Sequence, residues 1–186
     1  MVLIDFCWAA YCKELGYDES TIHEFKEKMI DSPYWAGLDD GSLTTDEAIM
    51  KFVEAMPHYE DKIRRFWDGA QYFVREYPYA DGLVKELQEK GYKVYLLSNY
   101  PLDMYHLHWP TFAFFKRVDG YIVSAEEKIS KPNLAIYRLL CERYNLKEEE
   151  CFFIDDRQVN VDAAKSVGMD GCLFTGYEEL REQMKF

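Results

Sequence analysis

The stretch "CFFIDDRQVNVDAAKSVGM", Cys151–Met169, decides the fold. Its first four residues are apolar, two adjacent acids follow, and a helical pattern then runs to Gly168. A short apolar run without alternation reads as a strand buried on both faces, and such strands belong to parallel sheets. Asp155 and Asp156 therefore fall at the carboxyl end of a strand, where an open α/β sheet binds its ligands. Adjacent carboxylates repel, so they require a cation or a held proton. Hard oxygen donors favour Mg²⁺ over a soft metal. The competing reading is helix N-capping by one of the two aspartates.

Working outward, the same alternation continues. "DGLVKELQEKG" is a helix closed by Gly91 and "YKVYLLS" is a strand. "GYIVS" is a second strand. "KPNLAIYRLLCERY" is a helix with Pro132 in its first turn and Ile136, Leu139 and Leu140 on its apolar face. "GCLFTG" follows "CFFID" as the last strand. Strands alternating with helices predict a parallel sheet covered on both faces. From about Tyr11 to Phe73 the texture is instead helical throughout. In "TTDEAIMKFVEAM", Thr44 and Glu47 form a capping-box pair, and Ile49, Phe52, Val53 and Met56 follow at helical spacing.

Other strand ends add chemistry to the acidic pair. "VYLLSN" ends in Ser98 and Asn99, and Lys131 stands just ahead of a helix in "SKP". Alone, a Ser-Asn pair is a turn and a lysine is a solvated loop charge. Together, a hydroxyl and an amide, a point cation and two carboxylates at one sheet edge make a phosphate grip beside a magnesium site.

The 186 residues suffice for one core carrying a small second lobe, and 48% apolar with 17% aromatic content is a globular composition. The formal net charge of −12 and the lack of a Lys/Arg cluster argue against nucleic acid as a partner. A phosphorylated ligand would need a local cation, because the global field repels it. No stretch of 18 apolar residues occurs, so no membrane partner is expected. Five cysteines, Cys7, Cys12, Cys141, Cys151 and Cys172, match no zinc or redox spacing. They read as reduced core thiols of a cytoplasmic protein. His23, His58, His106 and His108 show no metal spacing. His106 and His108, near the Ser98 strand, read as surface loop groups or as neighbours of a substrate. Tyr34 and Trp35 precede "LDDG" and read as packing or as a stacking surface. The aromatic run "YPLDMYHLHWPTFAFF" is expected to pack on the helical block or on a second copy, leaving monomer and homodimer both open.

With these motifs in place, the sequence resembles the haloacid dehalogenase-like hydrolase superfamily over nearly its whole length. "VYLLSN" looks like the second motif of that superfamily, "SKPNLAIY" like the third, and the opening quotation like the fourth. "HWP" and "DDGSLTTDEA" are similar to its sugar-phosphate phosphatase branch, which includes glucose-1-phosphate phosphatases. The resemblance implies a Rossmann-like α/β core, residues 1–10 and 74–186, with a small all-helical cap, residues 11–73. It also implies a Mg²⁺-dependent phosphatase acting on a small phosphorylated metabolite through an aspartyl-phosphate. Ser98 and Asn99 would hold the phosphoryl group, and Lys131 would neutralise it together with the nucleophile. Asp156 would be the main metal ligand, with Asp155 supporting it. A haloacid dehalogenase acting on carbon, or a non-catalytic remnant of the fold, are the alternatives; the acidic pair favours phosphate.

The start of the chain departs from this pattern. In "MVLIDFCW", Val2-Leu3 match the apolar pair that follows the superfamily's nucleophilic aspartate, and Asp5 matches a later acid. On that register the nucleophile and most of the first strand precede Met1, and a chain lacking them is expected to be inactive. On the rival register Asp5 is itself the nucleophile. Loss of the first strand would leave two unpaired edges in the middle of the sheet.

Overall fold

The structure, a computed structural model, describes residues 1–184. It opens with strand β1 (Ile4–Phe6) and enters a helical lobe: α1 (Trp8–Glu14), α2 (Glu19–Phe25), α3 (Pro33–Asp39), α4 (Thr45–Ala55) and α5 (Glu60–Asp68). The capping box of α4 is formed. Thr44 Oγ1 accepts from Glu47 N–H at 3.3 Å, and Glu47 Oε2 accepts from Thr44 N–H at 2.9 Å. Phe52 and Met56 on its apolar face are fully buried, while Ile49 and Val53 are half-buried. The centre of the lobe is aromatic: Phe66 stacks on Phe73 at 4.1 Å between centroids, with Tyr11, Phe25 and Trp67 around it.

The chain leaves the lobe through β2 (Val74–Glu76), a strand that the sequence pattern does not announce. β2 pairs antiparallel with β1, Phe6 opposite Val74 and Ile4 opposite Glu76. Entry to and exit from the lobe thus form one ribbon.

The α/β part follows: α6 (Ala80–Glu89), β3 (Tyr95–Ser98), α7 (Leu102–His108), β4 (Gly120–Val123), α8 (Ser124–Glu127), α9 (Leu134–Tyr144), β5 (Phe152–Asp155), α10 (Gln158–Ser166), β6 (Asp170–Leu173) and α11 (Tyr177–Gln183). Gly91 and Gly168 close α6 and α10 with φ of 88° and 102°, conformations that glycine adopts without strain. Pro132 is not in the first turn of α9. Asn133 caps that helix instead, its Oδ1 accepting from Ala135 N–H at 3.0 Å, and Pro132 stands before the cap after a cis Lys131–Pro132 peptide.

The sheet also differs from a single continuous layer. β3 pairs with β4 and β5 with β6, both parallel, and no ladder joins β3 to β5. A cavity of about 960 Å³, lined by both strands, lies between them. Ile4–Phe6 do not close it, since β1 pairs with β2 and with neither β3 nor β5. Adjacent residues of β4 enter different apolar clusters, and the one around Ile122 spans both strand pairs, with Leu97 of β3 and Phe153 of β5 packed against it. Ile122, Ile136, Tyr137 and Ala164 pack together, whereas Val123, Tyr100, Met104 and Trp109 join the core of the helical lobe. The aromatic run after Asn99 therefore packs inside the chain, against the lobe.

Phe66 is fully buried against four aromatic neighbours. Phe66→Ala should lower the unfolding free energy by about 3–5 kcal/mol, read from the urea midpoint at constant m.

Candidate active site

No ladder joins β3 to β5, but Lys131 spans their carboxyl ends. Its Nζ donates to Leu97 O of β3 at 2.7 Å and to Asp155 Oδ2 of β5 at 2.7 Å. The side chains of Lys131 and Asp155 are only 10% and 6% exposed, so the pair is desolvated and must be well bonded to persist. The second oxygen of Asp155 accepts from Arg157 N–H and from Asn160 Nδ2, both at 2.9 Å. Asn160 is itself buried on α10, and Tyr137 Oη donates to its carbonyl. Asn99 holds the other side: Lys131 N–H donates to Asn99 Oδ1 at 2.8 Å, and Asn99 Nδ2 donates to Lys131 O at 2.9 Å. The ammonium carries three hydrogens, of which these contacts use two, leaving one for a ligand.

The adjacent acids are thus divided. Asp155 is buried and saturated by protein donors. Asp156 is exposed, with Oδ2 2.9 Å from the Met1 ammonium. Each carboxylate has its own cation, which removes the repulsion read from the sequence. Of the two, Asp156 is the carboxylate that could hold a metal, since the oxygens of Asp155 are taken by protein donors. Among the described residues no group of three or more His, Cys, Asp or Glu side chains gathers around one point. Ser98 and Asn99 line the same cavity as Lys131, Asp155 and Asp156. Asp5 does not line it: it lies exposed on β1, opposite Arg75 of β2.

Three further residues escape a sequence reading. Asp39, at the end of α3, lines the cavity from the helical lobe, facing Lys131 and Arg157. Its surroundings push its carboxyl up to about 7: enclosure raises it first and Asp40 adds to that, against the pull of Arg157 and Lys131. Ser124, fully buried at the end of β4, donates to Asp39 O and accepts from Tyr100 N–H at 2.9 Å. It fastens the lobe to the strand ends. Gly41, with φ of 70°, lets that turn sit on Ala125, where a Cβ would come within 2.3 Å of the carbonyl oxygen. His108 is not a surface loop group. It is 2% exposed on α7, and burial lowers its basicity. The neutral ring donates from Nε2 to Ala70 O and accepts at Nδ1 from Tyr100 Oη, both at 2.8 Å. His106 is exposed.

A family model for haloacid dehalogenase-like hydrolases matches residues 11–168. The chain belongs to the haloacid dehalogenase-like hydrolase family. It is 26% identical over 151 residues to a sesquiterpene phosphatase of Aspergillus oryzae, covering 79% of this chain and 75% of that protein. It is 23% identical over 160 residues to a drimenol cyclase of Aspergillus calidoustus, of whose length it spans 30%. In fold it is similar to a HAD family enzyme of Bacteroides thetaiotaomicron in its magnesium complex. The TM-score is 0.76 at 23% identity, with 100% of this chain and 93% of that one covered. It is also similar to the L-2-haloacid dehalogenase of Xanthobacter autotrophicus, with TM-score 0.70 at 19% identity and 99% and 79% covered. As a haloacid dehalogenase-like hydrolase the chain is an enzyme by family.

Two outcomes follow from this geometry. Lys131→Met strands a buried carboxylate and should cost about 3–5 kcal/mol of stability, measured by urea unfolding. The raised Asp39 carboxyl keeps its proton in the folded chain at pH values where the unfolded chain has lost it. Wild-type stability should therefore fall relative to Asp39→Asn as pH rises from 3.8 towards about 7, and stay level above that. Thermal melts of both proteins across this range read the difference.

Proposed function

We propose that the strand-end constellation serves a Mg²⁺-dependent phosphatase acting on a small phosphomonoester. The observation that carries this reading is the buried Lys131 ammonium, held by Asp155 and Leu97 O with one hydrogen left for a ligand. In a chain of net charge −12, that fixed cation is what draws a phosphate dianion to this point. Ser98 and Asn99 line the cavity beside it. Asn99 has its amide carbonyl and one amide hydrogen committed to the Lys131 backbone, so it fixes the lysine as well as flanking the phosphoryl group. The N-terminus of α10, directly after the acids, adds positive dipole.

The donor set fits magnesium. Asp156 is an exposed hard-oxygen ligand already paired with an ammonium, and Mg²⁺ is commonly held by one or two carboxylates, water and substrate phosphate. Asp156 would hold it, with Asp155 supporting through Lys131 rather than coordinating directly. Bound there, the metal would neutralise charge on the phosphoryl oxygens. The relative named as a sesquiterpene phosphatase supports phosphate-ester chemistry. So does a structure of the Bacteroides thetaiotaomicron enzyme in complex with magnesium and inorganic phosphate (TM-score 0.72 at 24% identity). The helical lobe takes the part of a cap. On this reading an aspartate attacks phosphorus and water hydrolyses the aspartyl-phosphate. We assign that aspartate to none of the described residues, since Asp5 faces solvent beside Arg75.

Mg²⁺ with inorganic phosphate should raise the melting temperature of the wild type and leave that of Asp156→Asn unmoved. Any release of phosphate from small phosphomonoesters should survive Asp5→Asn; its loss in that variant would return the nucleophile to Asp5.

A further inference from the structure

A second cavity, of about 190 Å³, opens where the helical lobe meets the α/β part. Phe6, Trp35 and Val74 line it from the lobe and the ribbon, and Tyr100, Pro101 and Met104 from the segment after β3. Asp39, Asn99 and Met1, whose ammonium pairs with Asp156, join them, and all three also line the large cavity that contains Lys131. A group attached to a phosphate at Lys131 therefore has this pocket as its neighbour. The pocket offers little to a hydroxylated ligand. The Tyr100 hydroxyl is committed to His108, and the Asn99 amide is largely committed to the Lys131 backbone. Among the described residues no Lys or Arg side chain lines it, and the Met1 ammonium is paired with Asp156. Sugar hydroxyls placed here would lose their hydrogen bonds to water without replacement, whereas a hydrocarbon would be transferred from water to an aromatic and aliphatic wall.

We propose, resting on the phosphatase reading above, that the leaving group is an apolar alcohol of alkyl or prenyl type. Its hydrocarbon lies between Phe6, Trp35, Val74 and Met104 while its phosphoryl group lies at Lys131. Hydrolysis breaks the bond between phosphorus and the alcohol oxygen. Water supplies the replacing oxygen on phosphate and the proton that the alcohol takes. Asp39, between the two cavities, marks the boundary between the charged and the apolar ends of the ligand.

Binding separates this inference from the reading on which it rests. Methyl-, butyl- and hexylphosphonate, inorganic phosphate and glucose 6-phosphate would be titrated calorimetrically into the full chain with Mg²⁺. Affinity should rise about fourfold per added methylene until the pocket is filled. Glucose 6-phosphate should bind no tighter than methylphosphonate. Met104→Gln, which places an amide in the wall, should flatten the chain-length series. A flat series in the wild type with phosphate still bound, or tighter binding of glucose 6-phosphate, would overturn the apolar leaving group and leave the phosphatase reading standing. A slope unchanged in Met104→Gln would put the hydrocarbon elsewhere and overturn the proposal. Failure of every ligand, inorganic phosphate included, would overturn both.

Discussion

One ion pair joins what the backbone ladders do not. β3–β4 and β5–β6 are separate parallel pairs, and Lys131 reaches Leu97 O of the first and Asp155 of the second. Burying two charges is costly, and their mutual attraction offsets that cost only when every remaining lone pair and proton is used. Here Arg157 N–H and Asn160 Nδ2 take the second oxygen of Asp155, and Leu97 O takes a second lysine hydrogen. The bidentate Asn99 contact then fixes the backbone that carries the lysine. The polar atoms of the site are also a join between the half-sheets, beside the apolar cluster of Ile122, Tyr137 and Ala164 that packs across them. A substitution there changes both together.

The helical lobe is fastened to that join by buried polar bonds set in an aromatic core. Ser124 links the turn after α3 to the start of the Tyr100 segment. His108 links Tyr100 to Ala70, just after α5. Both are charge-free contacts in a buried interface, where an unmade hydrogen bond costs more than a made one gains. They hold the lobe in register over the strand ends, which keeps Asp39 between the two cavities.

Much of this was legible in the sequence, and the reason is local. Strand-terminal residues such as Ser98, Asp155 and Asp156 are placed by periodicity alone, because a strand end fixes both position and side of the sheet. Lys131 was legible through its company, since each motif was weak by itself. Gly91 and Gly168 announced their helix ends by conformational freedom. What stayed hidden depends on contacts between segments distant in sequence. The division of labour between Asp155 and Asp156 comes from Lys131, Asn160 and Met1, not from their neighbours in the chain. His108 resembled a loop residue because its burial is conferred by Ala70 and Tyr100. Asp39 was visible only as part of an acidic turn. The serine ending "GYIVS" was a missed signal, because it stands at a strand end as Ser98 does. β2 was hidden because three residues carry no readable period.

The β1–β2 ribbon has a consequence for how such a chain can change over time. Phe6 and Val74 face each other as ladder partners, so everything between them is an excursion whose two ends already touch. Exchanging or shortening that excursion requires only a connection across one antiparallel pair, a distance that a tight turn spans. The strand ends that carry Ser98, Lys131 and Asp155 lie outside it. The helical lobe and the strand ends therefore lie on stretches of chain that can be inherited separately, with the ribbon as the seam along which one can be replaced without recutting the other.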